Sequence, residues 1–172
     1  HLSDGAIESA LKALYQVAGT YQVTDNEKFH RYLTDGIPVE YRKKDDVVGD
    51  FAYLIDPSDS PGKNEFLAVN QFTIIEKGIN KRPDIILFVN GLPLVTFELK
   101  NAADLNATVK KAYEQLKTYK AAIPQLFSYN EICVISDGLE AKVGSYTAPF
   151  SRFSTWKTKD GLSDASPFED EL

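Results

Sequence analysis

The stretch PDIILFVNGLPLVTFELK, residues 83–100, holds two carboxylates and an ammonium within two β-rich runs. Glu98 and Lys100 are two residues apart, so on a strand they share one face while Phe97 and Leu99 take the other. One face is then apolar and the other ionisable. Asn90-Gly91 between the runs is a strong hairpin signal, and its loop length decides where Asp84 falls. With a three-residue loop, Asn90-Gly91-Leu92, Val89 pairs with Pro93, paired positions sum to 182, and Asp84 lies opposite Glu98. A two-residue loop would set Asp84 opposite Phe97 and break the constellation. Pro93 lacks an N–H and suits a strand start or a bulge, which is a further way to shift the register.

Directly opposed side chains have Cβ atoms about 4.5–5.5 Å apart, near enough for two carboxylates to share one cation. Without a cation they repel, and one pKa rises. Oxygen donors with neither a second cysteine nor a histidine pair favour Mg2+ over zinc. Lys100 beside such an ion would orient or deprotonate a water and balance charge developing on a phosphoryl group. The chemistry expected of this trio is phosphodiester hydrolysis.

Several elements must hold the trio in place. Residues 4–18 carry Ala6, Ile7, Ala10, Leu11, Leu14 and Val17 at helical spacing, with Ser3 or Asp4 as N-cap. A second helix is expected from an Asp25 cap to Gly36. IPVEYRK and DFAYLID read as strands, 56–63 as a surface loop, Phe66 to Glu76 as one strand, and Lys77 to Arg82 as a polar connection. Residues 104–122 repeat Leu105, Val109, Ala112, Leu116, Tyr119 and Ala122 on a helical period, and NEICVIS, 130–136, is a buried strand. A strand, a long helix and a second buried strand imply a crossover within one sheet. Periodicity is lost from Ala141 onward, and the acidic FEDEL terminus reads as a solvated tail. The fold class is therefore α/β, a mixed central sheet flanked by helices with the trio at one edge.

The chain of 172 residues, 43% apolar and 26% charged, has the profile of one globular domain with a core of its own. Its single cysteine, Cys133, excludes an internal disulfide framework and fits a reducing, cytoplasmic setting. A net charge of −6 argues against non-specific coating of nucleic acid but leaves room for a nuclease with a local basic surface. No apolar run suggests a membrane span or a secretory signal. Beginning at His1 and lacking methionine, the chain is expected to be a piece of a longer polypeptide.

Pro83-Asp84, thirteen residues, then Glu98-Leu99-Lys100 resembles the PD-(D/E)xK nuclease motif. The surrounding NQFTIIEKGINKRPDIILFVNGLPLVTFELKN is similar, more narrowly, to the N-terminal nuclease domain of the restriction (motor) subunit of type I restriction-modification enzymes. Gln115 and Tyr119 in QLKTY match the QxxxY element of that family. The resemblance implies a restriction-endonuclease-like fold over 1–156, with 157–172 a linker toward an absent motor domain. It implies Asp84, Glu98 and the Leu99 carbonyl as Mg2+ ligands and Lys100 as the catalytic lysine. Gln115 and Tyr119 would face the site or the DNA. The implied activity is that of a type I site-specific deoxyribonuclease, with double-stranded DNA and the modification and specificity subunits as partners. ATP would enter only through the motor, since no GxxxxGK[ST] loop occurs here. The family's further acidic residue on an early helix has no secure counterpart: Glu8 lies on what resembles the second helical segment.

Plainer readings stand beside these. Asp84 suits a strand start, Glu98 and Lys100 a surface ion pair worth under about 1 kcal/mol, and Gln115 and Tyr119 a helix-packing pair. Lys110, Lys111, Lys117 and Lys120 would track a phosphate backbone or form a solvated helix face. His30 reads as solvated and Cys133 as core. The competing function is a catalytically silent module that keeps the fold for DNA binding or subunit docking.

Overall fold

The computed structural model describes residues 2–19, 21–43, 46–58, 62–101, 108–158 and 161–163. Helix α1 (Asp4–Tyr15) starts where the Ser3 hydroxyl accepts from the Ala6 N–H at 3.3 Å. Its Ala6, Ala10 and Leu14 are buried, as is Val17 beyond it, whereas Ile7 and Leu11 stay 45% exposed. The apolar stripe is thus narrower than the sequence suggests. Helix α2 (Gln22–Asp35) begins three residues before Asp25, whose carboxylate sits in the first turn and accepts from the Gly19 N–H at 2.9 Å. A carboxylate there is favoured by the positive end of the helix without being the cap. Gly36 ends the helix at φ 85°, where a Cβ would also lie 3.1 Å from that of Phe51.

Strands β1 (Ile37–Lys43) and β2 (Asp46–Ala52) form an antiparallel ribbon under α1. The second strand therefore starts earlier than DFAYLID and ends before Tyr53. The expected single strand from Phe66 to Glu76 is two, β3 (Phe66–Asn70) and β4 (Ile74–Glu76). The break falls at Gln71, which has φ 52°. The supposed connection Lys77 to Arg82 contains β5 (Ile79–Lys81), paired back on β4 through Lys77-Gly78, both at positive φ. Its mixed polar and apolar residues hid a short hairpin.

Strands β6 (Ile85–Val89) and β7 (Leu92–Leu99) are joined by Asn90-Gly91 alone, both at positive φ as a primed two-residue turn requires. The three-residue loop is thus corrected: Val89 pairs with Leu92 and Phe88 with Pro93. One residue later the register shifts, and Leu87 pairs with Val95, Ile86 with Thr96 and Ile85 with Phe97. Leu94 is the extra residue of a β-bulge, and from there paired positions sum to 182. Asp84, the next residue outward, is carried to the level of Glu98.

Helix α3 (Val109–Ala122) is capped by the Thr108 hydroxyl, so the expected start near 104 and the position of Leu105 lie outside the described residues. The short α4 (Pro124–Ser128) follows, then β8 (Ile132–Ser136), parallel to β7, as the strand–helix–strand crossover required. Strands β9 (Ala141–Ser145) and β10 (Ser154–Thr155) complete the sheet where the sequence showed no periodicity. The order is β10-β9-β8-β7-β6-β3, a mixed six-stranded sheet flanked by helices. The β6–β7 pair is interior to this sheet, so the trio lies at the strand ends in its middle rather than at its edge.

One core, with Ile86, Leu116, Tyr119, Phe127, Cys133 and Ile135, lies under α3 and α4; the other joins α1, α2 and β1 to Leu94. Because α3 covers the face that carries Thr96 and Glu98, that face of β7 is the buried one, while Leu99 is 39% exposed. The ionisable face of β7 is thus the covered one, and the plainer reading of Glu98 and Lys100 as a surface ion pair does not hold. The Trp156 N–H, at the end of the expected domain, donates to the Ala141 carbonyl at 2.9 Å, and most of the expected tail 157–172 lies outside the described residues.

Candidate active site

Asp84 follows Pro83 just outside β6 and is held on both oxygens. Its Oδ2 accepts from the Leu99 N–H at 2.8 Å and its Oδ1 from the Gln71 amide at 2.8 Å. The Gln71 N–H also donates to the Asp84 carbonyl at 2.9 Å. Glu98, at the end of β7, is 2% exposed. Its Oε1 accepts from the Lys100 ammonium at 2.5 Å, and its buried Oε2 meets no hydrogen-bond partner among the described residues. Burial pushes the Glu98 carboxyl above its ordinary range; the hydrogen bond from Lys100 opposes the rise and the Asp84 charge adds to it. Lys100 is anchored through its N–H on the Ser136 carbonyl at 2.8 Å, so its side chain turns back over Glu98.

The expected pair from α3 comes to the same place. Tyr119 is 6% exposed, and its hydroxyl donates to the Arg82 carbonyl at 3.2 Å, two residues before Asp84. Burial, reinforced by the charges of Glu98 and Asp84, pushes its pKa up to about 12. It therefore keeps its one proton, which it donates to the Arg82 carbonyl while the hydroxyl also lies close to the Glu98 carboxylate. Gln115, one turn earlier, interacts with the Tyr119 hydroxyl and lines a cleft of about 440 Å³ with Gln71, Thr73, Asn80, Lys81 and Arg82.

Sequence reasoning missed Gln71 and this cleft. The usable signal was Asn70-Gln71 at a strand end with basic Lys81-Arg82 just before Pro83-Asp84. Lys110, Lys111 and Lys117 are exposed on α3, away from its buried Ala112, Leu116 and Tyr119 face, and Lys117 pairs with Glu114 at 2.8 Å. Lys120 does not join them: its ammonium donates to the Tyr146 carbonyl at 2.6 Å over the Tyr146 and Phe127 rings, and burial lowers its pKa. Glu8 is exposed on α1, which packs on β1. His30 is bonded to Glu131 Oε2 at 2.7 Å rather than simply solvated, and Cys133 is fully buried with its thiol pushed up to about 11 by burial.

Among the described residues no three His, Cys, Asp or Glu side chains come together. What exists is a two-carboxylate site with a main-chain segment, Leu99, bonded to one of them. That donor set fits Mg2+, which takes one or two carboxylates and retains waters. A buried carboxylate oxygen with no donor is also what a cation would satisfy.

A family model, that of the type I restriction enzyme R protein N terminus, matches residues 2–152. The chain is 41% identical over 174 aligned positions to the type I restriction enzyme HindI endonuclease subunit of Haemophilus influenzae, covering 99% of the chain and 16% of that subunit. It is 38% identical over 144 positions to the MjaIXP endonuclease subunit of Methanocaldococcus jannaschii, covering 82% of the chain and 14% of that protein. A Staphylococcus aureus type I restriction enzyme endonuclease subunit, SauCOLORF180P, is 34% identical over 114 positions, 65% of the chain and 11% of the subunit. The chain thus spans under a fifth of the length of these relatives.

Proposed function

Because the chain belongs to the type I restriction enzyme R protein N-terminal family, we propose that it is the Mg2+-dependent endonuclease domain of such a subunit and hydrolyses DNA phosphodiester bonds. The observation that carries this reading is the buried Glu98, whose Oε2 has no partner among the described residues, level with Asp84 and bridged to Lys100. Asp84 and Glu98, with the Leu99 carbonyl, would hold the ion. When bound, Mg2+ supplies Lewis-acid polarisation of the phosphodiester and a divalent counter-charge.

The remaining work falls to the chain itself. Lys100 lies beside Glu98, and with that carboxylate committed to an ion its ammonium would be placed to orient the attacking water and to neutralise charge growing on the phosphoryl oxygens. Tyr119 keeps its proton and tethers the Arg82 carbonyl, which fixes the approach of Pro83-Asp84 to β7. Lys81, Arg82 and Asn80 give the neighbouring cleft donors for a DNA phosphate, and Lys110, Lys111 and Lys117 supply a second, outer basic surface. Translocation by an ATP-driven motor, and assembly with modification and specificity subunits, belong to the whole protein and are part of this proposal.

The test is nicking of supercoiled plasmid with Mg2+ by the wild-type chain, Asp84→Asn and Lys100→Ala, alongside calorimetric Mn2+ titration. Cleavage lost in both variants, with binding lost only in Asp84→Asn, supports the reading. Cleavage that survives both substitutions refutes it. Metal binding without any cleavage by the wild type selects the silent DNA-binding or docking module instead.

A further inference from the structure

Gln71 sits where β3 stops, at φ 52°, a backbone conformation that costs a β-positioned side chain of this size about 1 kcal/mol or more. It makes no use of that strain for a turn glycine's purpose. Continuing the β3–β6 pairing one step past Asn70 and Ile85 sets Gln71 opposite Asp84, just as the β6–β7 pairing sets Asp84 opposite Glu98. Three strand ends thus align Gln71, Asp84 and Glu98 in one row across the sheet.

The left-handed twist at Gln71 lets a single residue grip Asp84 twice, by its N–H on the Asp84 carbonyl at 2.9 Å and by its amide on Oδ1 at 2.8 Å. The Leu99 N–H holds the opposite oxygen at 2.8 Å. A carboxylate donated to on both oxygens cannot rotate about its last side-chain bond, and its remaining lone pairs have fixed directions. A ligand oriented in this way binds a metal without first losing rotational freedom.

We infer that Gln71 is a positioning residue for the metal-binding carboxylate: it orients Asp84 from across the β3–β6 ladder and acts on the ion through that carboxylate. This rests on the reading of Asp84 and Glu98 as Mg2+ ligands. It also accounts for a strained glutamine at the end of an exposed edge strand, where nothing in packing asks for one.

The test uses this chain with Mn2+ as the probe, read by calorimetry, and compares wild type with Gln71→Gly, Gln71→Met and Asp84→Asn. Glycine accepts the positive φ and methionine keeps length and strain, so the two substitutions share only the loss of the amide donor. Both are expected to weaken Mn2+ binding about tenfold, the usual cost of losing an outer hydrogen bond to a ligand, with the melting temperature of Gln71→Gly no lower than that of wild type. The Leu99 amide should also exchange with solvent faster in both variants without metal, since its acceptor is no longer held. Wild-type Mn2+ affinity in both Gln71 variants, with binding lost in Asp84→Asn, overturns this inference alone. A wild-type chain that binds no Mn2+ overturns the metal reading and this inference with it.

Discussion

Replacing Glu98 with glutamine separates what the site costs the fold from what it does. In the metal-free chain the carboxylate is 2% exposed, one oxygen has no donor, and the Asp84 charge opposes it. Its folded pKa is raised above the ordinary 4.5, so between those two values the folded state binds more protons than the unfolded one. Stability therefore falls as pH climbs through that window and stays lowered above it. Removing the buried charge relieves a desolvation cost of about 1–3 kcal/mol, and part is offset because an amide bonds Lys100 less strongly than a carboxylate does and sets an NH2 group where Oε2 stood. A net gain of about 1 kcal/mol would raise the melting temperature by roughly 2–4 °C in a chain of this size. Added Mg2+ at ten times its Kd stabilises the wild type by about 1.4 kcal/mol and leaves the variant unmoved, so the order of stability reverses. Differential scanning calorimetry in EDTA near about pH 5 and about pH 8, then with Mg2+, reads all three effects. The reasoning fails if Glu98→Gln melts below wild type in EDTA at the higher pH, or if Mg2+ stabilises both chains equally.

Lys100→Ala should abolish cleavage while metal affinity holds or tightens, because a competing cation is gone. Its urea midpoint should fall by the equivalent of about 1–3 kcal/mol at neutral pH, and the deficit should shrink toward pH 4.5 as Glu98 takes up a proton. Tyr119→Phe removes the hydroxyl that tethers the Arg82 carbonyl at 3.2 Å; we expect about 1 kcal/mol lost in chemical denaturation and a slower nicking rate with Mn2+ affinity nearly unchanged. Asn130→Leu should be more damaging, about 2–3 kcal/mol. The fully buried amide reaches the Leu94 carbonyl, the Thr96 hydroxyl and the Ile132 carbonyl, each at 3.1 Å, and thermal melting of the variant checks the loss.

Elements with a strong local signal were legible in the sequence: α1 with Ser3 as one of its two offered caps, β1 to the residue, the Asn90-Gly91 hairpin though not its loop length, and the parallel β7–α3–β8 unit. Those that exist only through partners were not. Strand β5 is three residues long and is stabilised by β4, and β10 is two residues laid along β9. Neither has room for a period. Which face of β7 is covered was not legible, for a related reason. Alternation says which residues share a side, but only α3 decides which side is buried, and α3 covers the one with Glu98.

The register of the site shows how far parity reasoning reaches. Loop length alone puts Asp84 opposite Phe97, and a bulge of one residue at Leu94 moves it back to Glu98. A two-residue turn with one bulge and a three-residue turn with none are equivalent at the far end of the ribbon, so the sequence could not tell them apart. What chooses between them lies elsewhere in the chain. The carbonyl of the bulged Leu94 faces β8, where it accepts from the Glu131 N–H at 2.9 Å and from the Asn130 amide at 3.1 Å. An unpaired buried carbonyl would cost about 1–3 kcal/mol, so β8 and Asn130 hold the bulged residue in the folded sheet. The alignment of Asp84 with Glu98 is therefore a property of the folded sheet, not of the isolated hairpin: a peptide of residues 83–100 has no reason to keep it.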